Sequence, residues 1–188
     1  VMEYHLGNYE KALQYCEEGK EIGKAIFTEE EHIQANILDL CGSCKLEQGD
    51  LDSAFSIFER SIQIKLKKLD HGHPDFSYTY LGLGRVYMER KDHNLALENL
   101  DKVIDIELKN FKDKGRNAGH AYFYKGRVYC NQFLLDEGLV WLNKAETYLQ
   151  NFHGKDSSHP KFAMLYDQYA FYYLQRKDYQ MAQKYLRE

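Results

Sequence analysis

The amino-acid sequence predicts an all-α fold, a right-handed superhelical solenoid of antiparallel helix pairs. Three observations predict it: a short motif that recurs at a fixed period, amphipathic helical stripes between its copies, and a small residue at the same place in each stripe. Repeated units of this length bury their apolar faces only by stacking on one another. Because such an array presents extended surfaces, the pattern favours a binding function.

The recurring motif is an Asn or Asp that can start a helix, followed four residues later by a small residue. The small residue lies at positions 12, 54, 96, 138 and 182, in three steps of 42 residues and one of 44, and the copy Leu134–Gly138 is the weaker one. Neither end carries the polar capping element that stacked repeats require, so we expect a longer parent chain. We predict a single array with repeats at 1–31 (partial), 32–73, 74–115, 116–159 and 160–188 (partial).

Residues 74–108 show how one repeat is built. Pro74 and Asp75 open the first helix, because proline is tolerated in a first turn and an acidic side chain suits the positive end of the helix dipole. Asp92 follows the basic end of that helix and is expected to cap the second helix. The apolar stripes, at three- and four-residue spacing, are Tyr80, Leu83, Gly84 and Tyr87 in the first helix and Ala96, Leu100 and Val103 in the second.

Small residues mark the place where the two helices of each repeat cross. Helices approach closely where both carry small side chains and larger ones surround the contact. We therefore expect these residues to pair in every repeat. The pairs are Gly42 with Ala54, Gly84 with Ala96, Gly126 with Gly138, and Ala170 with Ala182.

Composition excludes several classes of function. The chain has 188 residues, of which 44% are hydrophobic and 29% charged, and its net charge of −4 does not favour nucleic acid as a partner. No apolar run approaches the roughly 18 residues that a bilayer span needs. Four cysteines scattered through helical segments suit reduced thiols, so a cytoplasmic protein without nucleic-acid or membrane partners is expected.

These features resemble the tetratricopeptide repeat (TPR) family along essentially the whole chain. The 42-residue period, with the connections Leu69–Asp75 and Gly154–Pro160, is similar to the kinesin light chain type, in which a Gly/Asp-His-Pro connection precedes each first helix. The resemblance implies a non-catalytic scaffold or adaptor that binds a peptide or a protein. Its implied setting is a cytoplasmic cytoskeletal, motor or ciliary assembly.

The chain also departs from that type. In kinesin light chains an asparagine usually recurs on the groove side of each first helix, where cargo peptides are held. The matching places here hold other residues, so cargo specificity is not carried over. They are Asp39, Leu81, Phe123 and Asp167.

The concave surface of a helical-hairpin array is lined by first helices, and it is the expected ligand site. The residue after each mid-helix small residue should point into it: Ser43, Arg85, Arg127 and Phe171. The two arginines lie one repeat apart in identical Gly-Arg-Val-Tyr segments, and arginine forks bind carboxylates bidentately. We predict that an acidic or C-terminal peptide binds here, through Arg85, Arg127, Phe123, Met88, Leu81 and Phe171.

Two alternatives stay open. Each arginine can instead pair within the chain, with a carboxylate such as Glu89 or Asp39, and contribute at most about 1 kcal/mol to stability. The array can also be the peptide-sensing domain of a bacterial signalling regulator, since such domains use repeats near 40 residues.

Catalytic and metal-binding patterns are not supported. Cys41 and Cys44 have the spacing of a metal or redox pair, but a tetrahedral zinc site needs a second pair of ligands and a redox motif needs a strand before its helix. His71 and His73 are explained by the repeat connection. We expect no enzymatic activity, no cofactor and no metal.

Two side chains of the fourth repeat stand apart from the pattern. Lys125 occupies a place that is apolar in the other repeats, and extension of its ammonium group to solvent along an apolar stem is one explanation. Trp141 is expected to pack within the repeat, with a contact role on the convex side as the alternative.

Overall fold

A computed structural model describes residues 31–112, 115–153 and 160–187, with residues 11, 14, 15 and 18. Within these ranges the chain forms eight helices and no strand. Most of the partial repeat predicted at 1–31 and the connection at 154–159 lie outside the described residues. The helices are α1 (Glu31–Glu47), α2 (Leu51–Lys65), α3 (Phe76–Glu89), α4 (His93–Phe111), α5 (Ala118–Asn131), α6 (Leu135–His153), α7 (Pro160–Gln175) and α8 (Tyr179–Tyr185).

The helices belong to two compact units, residues 1–99 and 100–188, whose boundary falls within α4. In the first unit α1 packs against α2, and both contact α3. In the second unit α5 packs against α6, both contact α7, and α7 packs against α8. Each unit therefore contains a helical hairpin with the next first helix stacked on it.

Aspartates of the recurring motif cap second helices, as the sequence predicts. The Asp50 carboxylate accepts a hydrogen bond from the Ser53 N–H at 3.2 Å, and Asp92 and Asp178 accept equivalent bonds at 3.4 and 3.1 Å. Each bond satisfies one backbone donor that the first helical turn leaves without a partner. The predicted cap at Asp92 is confirmed.

The first helix of the next repeat begins two residues later than predicted. Pro74 and Asp75 lie in a turn, and α3 starts at Phe76. The backbone N–H groups of Phe76 and Ser77 donate to the carbonyls of His73 and Pro74 at 3.1 and 3.0 Å. The turn thus satisfies these donors before regular helical bonding starts.

Each of the four first helices that the structure describes ends in the same left-handed turn. The left-handed residue lies two positions after the end of the helix, and its φ is 78° for Gly49, 63° for Lys91, 60° for Phe133 and 60° for Lys177. The N–H of the following residue donates to the carbonyl five residues earlier, as in the bond of 2.9 Å from Asp92 to Tyr87. This is the Schellman arrangement, which closes the carbonyl end of a helix and turns the chain back. We call the left-handed residue and the one after it the tip of the hairpin.

Glycine and other residues are not equivalent at these tips. A Cβ atom on Gly49 would meet nothing within 4 Å, so Gly49→Ala changes only the backbone preference and is expected to lower stability by about 1 kcal/mol. Lys91→Gly removes the strain of a side chain in the left-handed region and is expected to raise stability by a similar amount. Urea unfolding of both variants measures the two effects. A loss in both would show that the side chain of Lys91 outweighs its backbone strain.

Glycines allow close contact between helices in both units, against a predicted glycine partner in one and against an aromatic ring in the other. A Cβ atom on Gly126 would lie 3.2 Å from the carbonyl oxygen of Gly138, and the reverse distance is also 3.2 Å, which confirms that pair. In the first unit, the buried Phe58 ring contacts two glycines. A Cβ atom would lie 2.9 Å from it at Gly42 and 2.3 Å at Gly82.

A buried lysine ties the end of α2 to the start of α3. Lys65 is 0% exposed, and its Nζ atom donates to Asp39 Oδ2 at 2.5 Å, to the Asp75 carbonyl at 2.7 Å and to Thr79 Oγ1 at 2.8 Å. Burial raises the pKa of the Asp39 carboxyl, and Lys65 opposes that rise. A buried charge is tolerated because all three ammonium donors have acceptors.

The corresponding position 42 residues later holds the opposite charge. Glu107 is 2% exposed, and its carboxylate accepts from the backbone N–H of Asn117 at 3.0 Å and from the Asn117 amide at 3.2 Å. The hydroxyl of Tyr148 donates to the Gly115 carbonyl at 2.6 Å. One repeat position thus links consecutive repeats through a cation in one copy and an anion in the next.

Candidate functional site

A cavity of about 410 Å³ lies in the second unit between α5 and α7. These are the first helices of consecutive repeats, which is where the sequence predicts a ligand surface. Three of the six predicted partner-binding residues line this cavity: Phe123, Arg127 and Phe171. The full lining is Phe123, Arg127, Asn131, Met164, Asp167, Gln168 and Phe171. We call it the α5–α7 pocket.

Helical spacing explains why these side chains share one surface. Phe123, Arg127 and Asn131 are four residues apart on α5, so they form a single row along the helix. On α7, Met164 and Gln168 have the same spacing, with Phe171 three residues further on. Since α5 packs against α7, the two rows face a common space.

The pocket combines apolar surface with a few polar groups. Met164 is 47% exposed, whereas Phe123 and Gln168 are buried. The guanidinium carbon of Arg127 lies 6.0 Å from the centre of the Phe123 ring, so the charge is held next to an aromatic face. Asp167 of α7 is exposed and is also part of the lining. Such a lining suits an extended peptide, because amides bind its backbone and apolar walls hold a side chain.

A cysteine lies close to this pocket without reactive character. Cys130 is fully buried, and burial raises the pKa of its thiol, while a hydrogen bond with Gln168 opposes the rise. A thiol acts as a nucleophile only as the thiolate. The environment of Cys130 therefore favours a structural role.

The other predicted residues lie in the first unit. Arg85 is bonded to Glu47, with 2.5 Å between Nη2 and Oε1, which supports the alternative that this arginine pairs with a carboxylate of its own chain. Leu81 and Met88 are buried, at 6% and 3% exposure, and present little surface to a partner. Arg85 and Arg127 belong to different units.

Ser43 and Asp39 are both buried beside α3. The Ser43 hydroxyl bonds to the Tyr78 hydroxyl at 3.1 Å and to the Asp39 carbonyl at 3.0 Å. The Asp39 carboxylate is bonded to Lys65. Contrary to the expectation for Ser43, these side chains serve packing between consecutive repeats.

Lys125 and Trp141 contact each other, and this contact helps to account for the position of both. The Lys125 ammonium lies 2.5 Å from Asp101 Oδ1 and 3.9 Å from the centre of the Trp141 ring, and its side chain is only 6% exposed. Extension to solvent is therefore the wrong explanation for Lys125. Trp141 also stacks on Tyr122, with 5.9 Å between ring centres, so packing accounts for its position.

Two family models match the sequence, and both describe a tetratricopeptide repeat. They cover residues 1–67 and 77–110, together more than half of the chain. The chain belongs to the tetratricopeptide repeat family. TPR arrays are protein-interaction scaffolds, and the family is generally non-catalytic. No curated protein matches the sequence significantly.

Solved structures agree with the TPR assignment. BtubC (BKLC) from P. vanneervenii has a TM-score of 0.75 at 14% identity, over 98% of this chain and 73% of that one. A protein of Podosopora anserina, described as a kinesin light chain with nearly identical TPR-like repeats, has a TM-score of 0.68 at 20% identity, over 99% and 87%. MamA from Desulfovibrio magneticus RS-1 has a TM-score of 0.57 at 18% identity, over 99% and 86%. The predicted all-α solenoid of helix pairs is thereby confirmed.

Among the described residues, no group of three or more His, Cys, Asp or Glu side chains is arranged to hold a metal ion. None of the described helices combines the length and apolarity needed to cross a membrane.

Sequence reasoning missed three pocket residues: Asn131, Met164 and Gln168. A search at four-residue spacing from Arg127 would have found Asn131. Steps of three and seven residues back from Phe171 would have found Gln168 and Met164.

Proposed function

We propose that this TPR array is an adaptor that binds an extended, acidic peptide segment of a partner protein in the α5–α7 pocket. Arg127 binds a carboxylate of the peptide, and Asn131 and Gln168 bond to its backbone. Phe123, Met164 and Phe171 hold an apolar side chain. The observation that carries the proposal is the pocket itself, formed by first helices of consecutive repeats and containing an arginine beside aromatic rings.

The setting that we propose is a cytoplasmic cytoskeletal, motor or ciliary assembly. It is supported by the fold shared with the Podosopora anserina protein described as a kinesin light chain, and by the His-Pro connection at His73–Pro74. The TPR scaffold suits this role because stacked repeats hold a peptide without a large change of shape. Protein is the partner class that we propose, in preference to nucleic acid or membrane.

Binding of a peptide library by the purified chain tests the pocket. Selected peptides are expected to carry Asp or Glu near a large apolar residue. Arg127→Ala is expected to weaken their binding about tenfold or more, because one charge-assisted bidentate contact is lost. Arg116→Ala, at an exposed arginine outside the pocket, is the matched control.

A double-mutant cycle then identifies the contact. Replacing the peptide carboxylate by an amide should weaken binding to the wild-type chain and have little further effect on Arg127→Ala. Arg85→Ala in the same assay tests the contribution predicted for the first unit. Equal affinities for Arg127→Ala and Arg116→Ala would contradict the proposed site.

A further inference from the structure

Among the four hairpin tips in the described part of the chain, one differs in kind from the others. Three tips carry a glycine or lysine followed by a capping aspartate, whereas the tip between α5 and α6 is Phe133-Leu134. Phe133 is 71% exposed and Leu134 is 43% exposed. The other tips are Gly49-Asp50, Lys91-Asp92 and Lys177-Asp178.

This tip carries two local costs. Phe133 has φ of 60°, a conformation that a bulky residue rarely adopts. Leu134 stands where the other repeats have an aspartate whose carboxylate caps the following helix, and a leucine side chain cannot accept that bond. Residues that break local rules while facing solvent are concentrated at functional sites. The tip therefore has the properties of residues that contact another molecule.

The same unit contains a surface complementary to this tip. The α5–α7 pocket offers apolar walls and the cation of Arg127. The tip offers two apolar side chains followed by acidic residues in the first turn of α6. Of these, Asp136 is bonded to Arg176 at 2.5 Å, so the exposed Glu137 is the carboxylate offered to a partner. Phe133 is too exposed to be seated in the pocket of its own chain.

We propose that the Phe133-Leu134 tip of one copy of this chain docks in the α5–α7 pocket of a second copy. Phe133 and Leu134 enter between the apolar walls, and Glu137 approaches Arg127. The inference rests on the proposed function, because it uses the same pocket and the same ligand chemistry. The tip of one copy then competes with a partner peptide for the pocket of the second copy.

The symmetry of such a contact has a testable consequence. Tip and pocket are different surfaces, so the contact is heterologous and each copy retains one unused tip or pocket. Copies therefore join head to tail, and the assembly grows with concentration until it closes into a ring. A peptide that fills the pocket is expected to dissociate it.

Sedimentation velocity at increasing concentration tests the proposal with two complementary variants. Phe133→Lys/Leu134→Asp gives the tip the residues of the other repeats and leaves the pocket intact. Arg127→Ala removes the pocket cation and leaves the tip intact. Each variant alone is expected to associate at least about tenfold more weakly than the wild-type chain. Val140→Lys, at a residue that is 54% exposed outside the tip, is the control and should associate like the wild type.

A mixing experiment separates specific docking from general apolar association. The tip variant has an intact pocket and the pocket variant has an intact tip. No copy in the mixture therefore has both surfaces intact, and a chain of copies cannot grow. The intact pocket of one variant and the intact tip of the other should form a complex that stops at one copy of each. Circular dichroism confirms that both variants are folded.

Three results would overturn the inference: a wild-type chain that stays monomeric at all concentrations, a tip variant that associates like the wild type, or a mixture without the one-to-one complex. Failure here is distinguishable from failure of the proposed function. A monomeric wild-type chain whose peptide binding still depends on Arg127 removes self-association alone. Self-association without binding of any library peptide removes the adaptor proposal alone.

Discussion

Replacing Lys65 by methionine is expected to lower the free energy of unfolding by about 3–5 kcal/mol. Methionine has a similar length, so the packing of α2 is largely kept. The loss arises because the buried Asp39 carboxylate is left without its cation, and because the Asp75 carbonyl and the Thr79 hydroxyl lose a donor. Urea unfolding followed by circular dichroism measures the change.

Two comparisons assign this loss to the buried pair. Lys67→Met makes the same substitution at an exposed position and should change stability by no more than about 0.5 kcal/mol. The double variant Asp39→Leu/Lys65→Met removes both charges and should regain most of the loss, since buried pairs can be replaced by apolar residues. A double variant as unstable as Lys65→Met would contradict the explanation.

Acidification should reduce the loss in Lys65→Met. Burial already raises the pKa of the Asp39 carboxyl in the folded chain, and the substitution removes the cation that opposes this rise. A carboxyl with a raised pKa binds its proton more tightly in the folded state, so stability increases as the pH falls. The difference from the wild-type chain is therefore largest at neutral pH and smaller in mildly acidic solution.

Replacing Phe58 by alanine is expected to lower the free energy of unfolding by about 3–5 kcal/mol. The substitution leaves a cavity where the ring packs against two glycines. Gly82→Ala in the wild-type chain should also destabilise, by about 1–3 kcal/mol, since its Cβ atom would lie 2.3 Å from the ring. The sign is opposite to the gain of about 1 kcal/mol that alanine normally brings to a helix interior.

A double-mutant cycle between these positions tests the contact. In the Phe58→Ala background the ring is gone, so Gly82→Ala should become stabilising through helix propensity and partial filling of the cavity. Thermal and urea unfolding of the four proteins give the coupling. If Gly82→Ala destabilises equally in both backgrounds, the ring is not the reason for glycine at this position.

The sequence predicts the elements well because their signals are local. Asp92 is preceded by a basic helix end and followed by an apolar stripe, so its capping role can be inferred from nearby residues. Gly126 and Gly138 were paired through the repeat period. The left-handed conformation of Lys91 and Phe133 could not be predicted from residue type, because only Gly49 carries the usual signal.

The candidate site is predicted in part. Phe123, Arg127 and Phe171 follow from their places in the repeat, and all three line the α5–α7 pocket. The ion pair of Arg85 with Glu47 could not be predicted, since it joins residues 38 positions apart. Their pairing depends on how consecutive hairpins lie against one another.

By itself, the sequence determined the helical class and the caps, since these depend on residues within a few turns of one another. It also determined the repeat period, since the motif recurs along the chain. Only the tertiary structure decided which buried charges meet, as in the pair of Lys65 with Asp39, and which rings contact which glycines, as in Phe58 with Gly82. The physical reason is that stacking sets these contacts through distances of a few ångströms between side chains of different helices. A repeat pattern places residues on the same face, but it does not specify those distances.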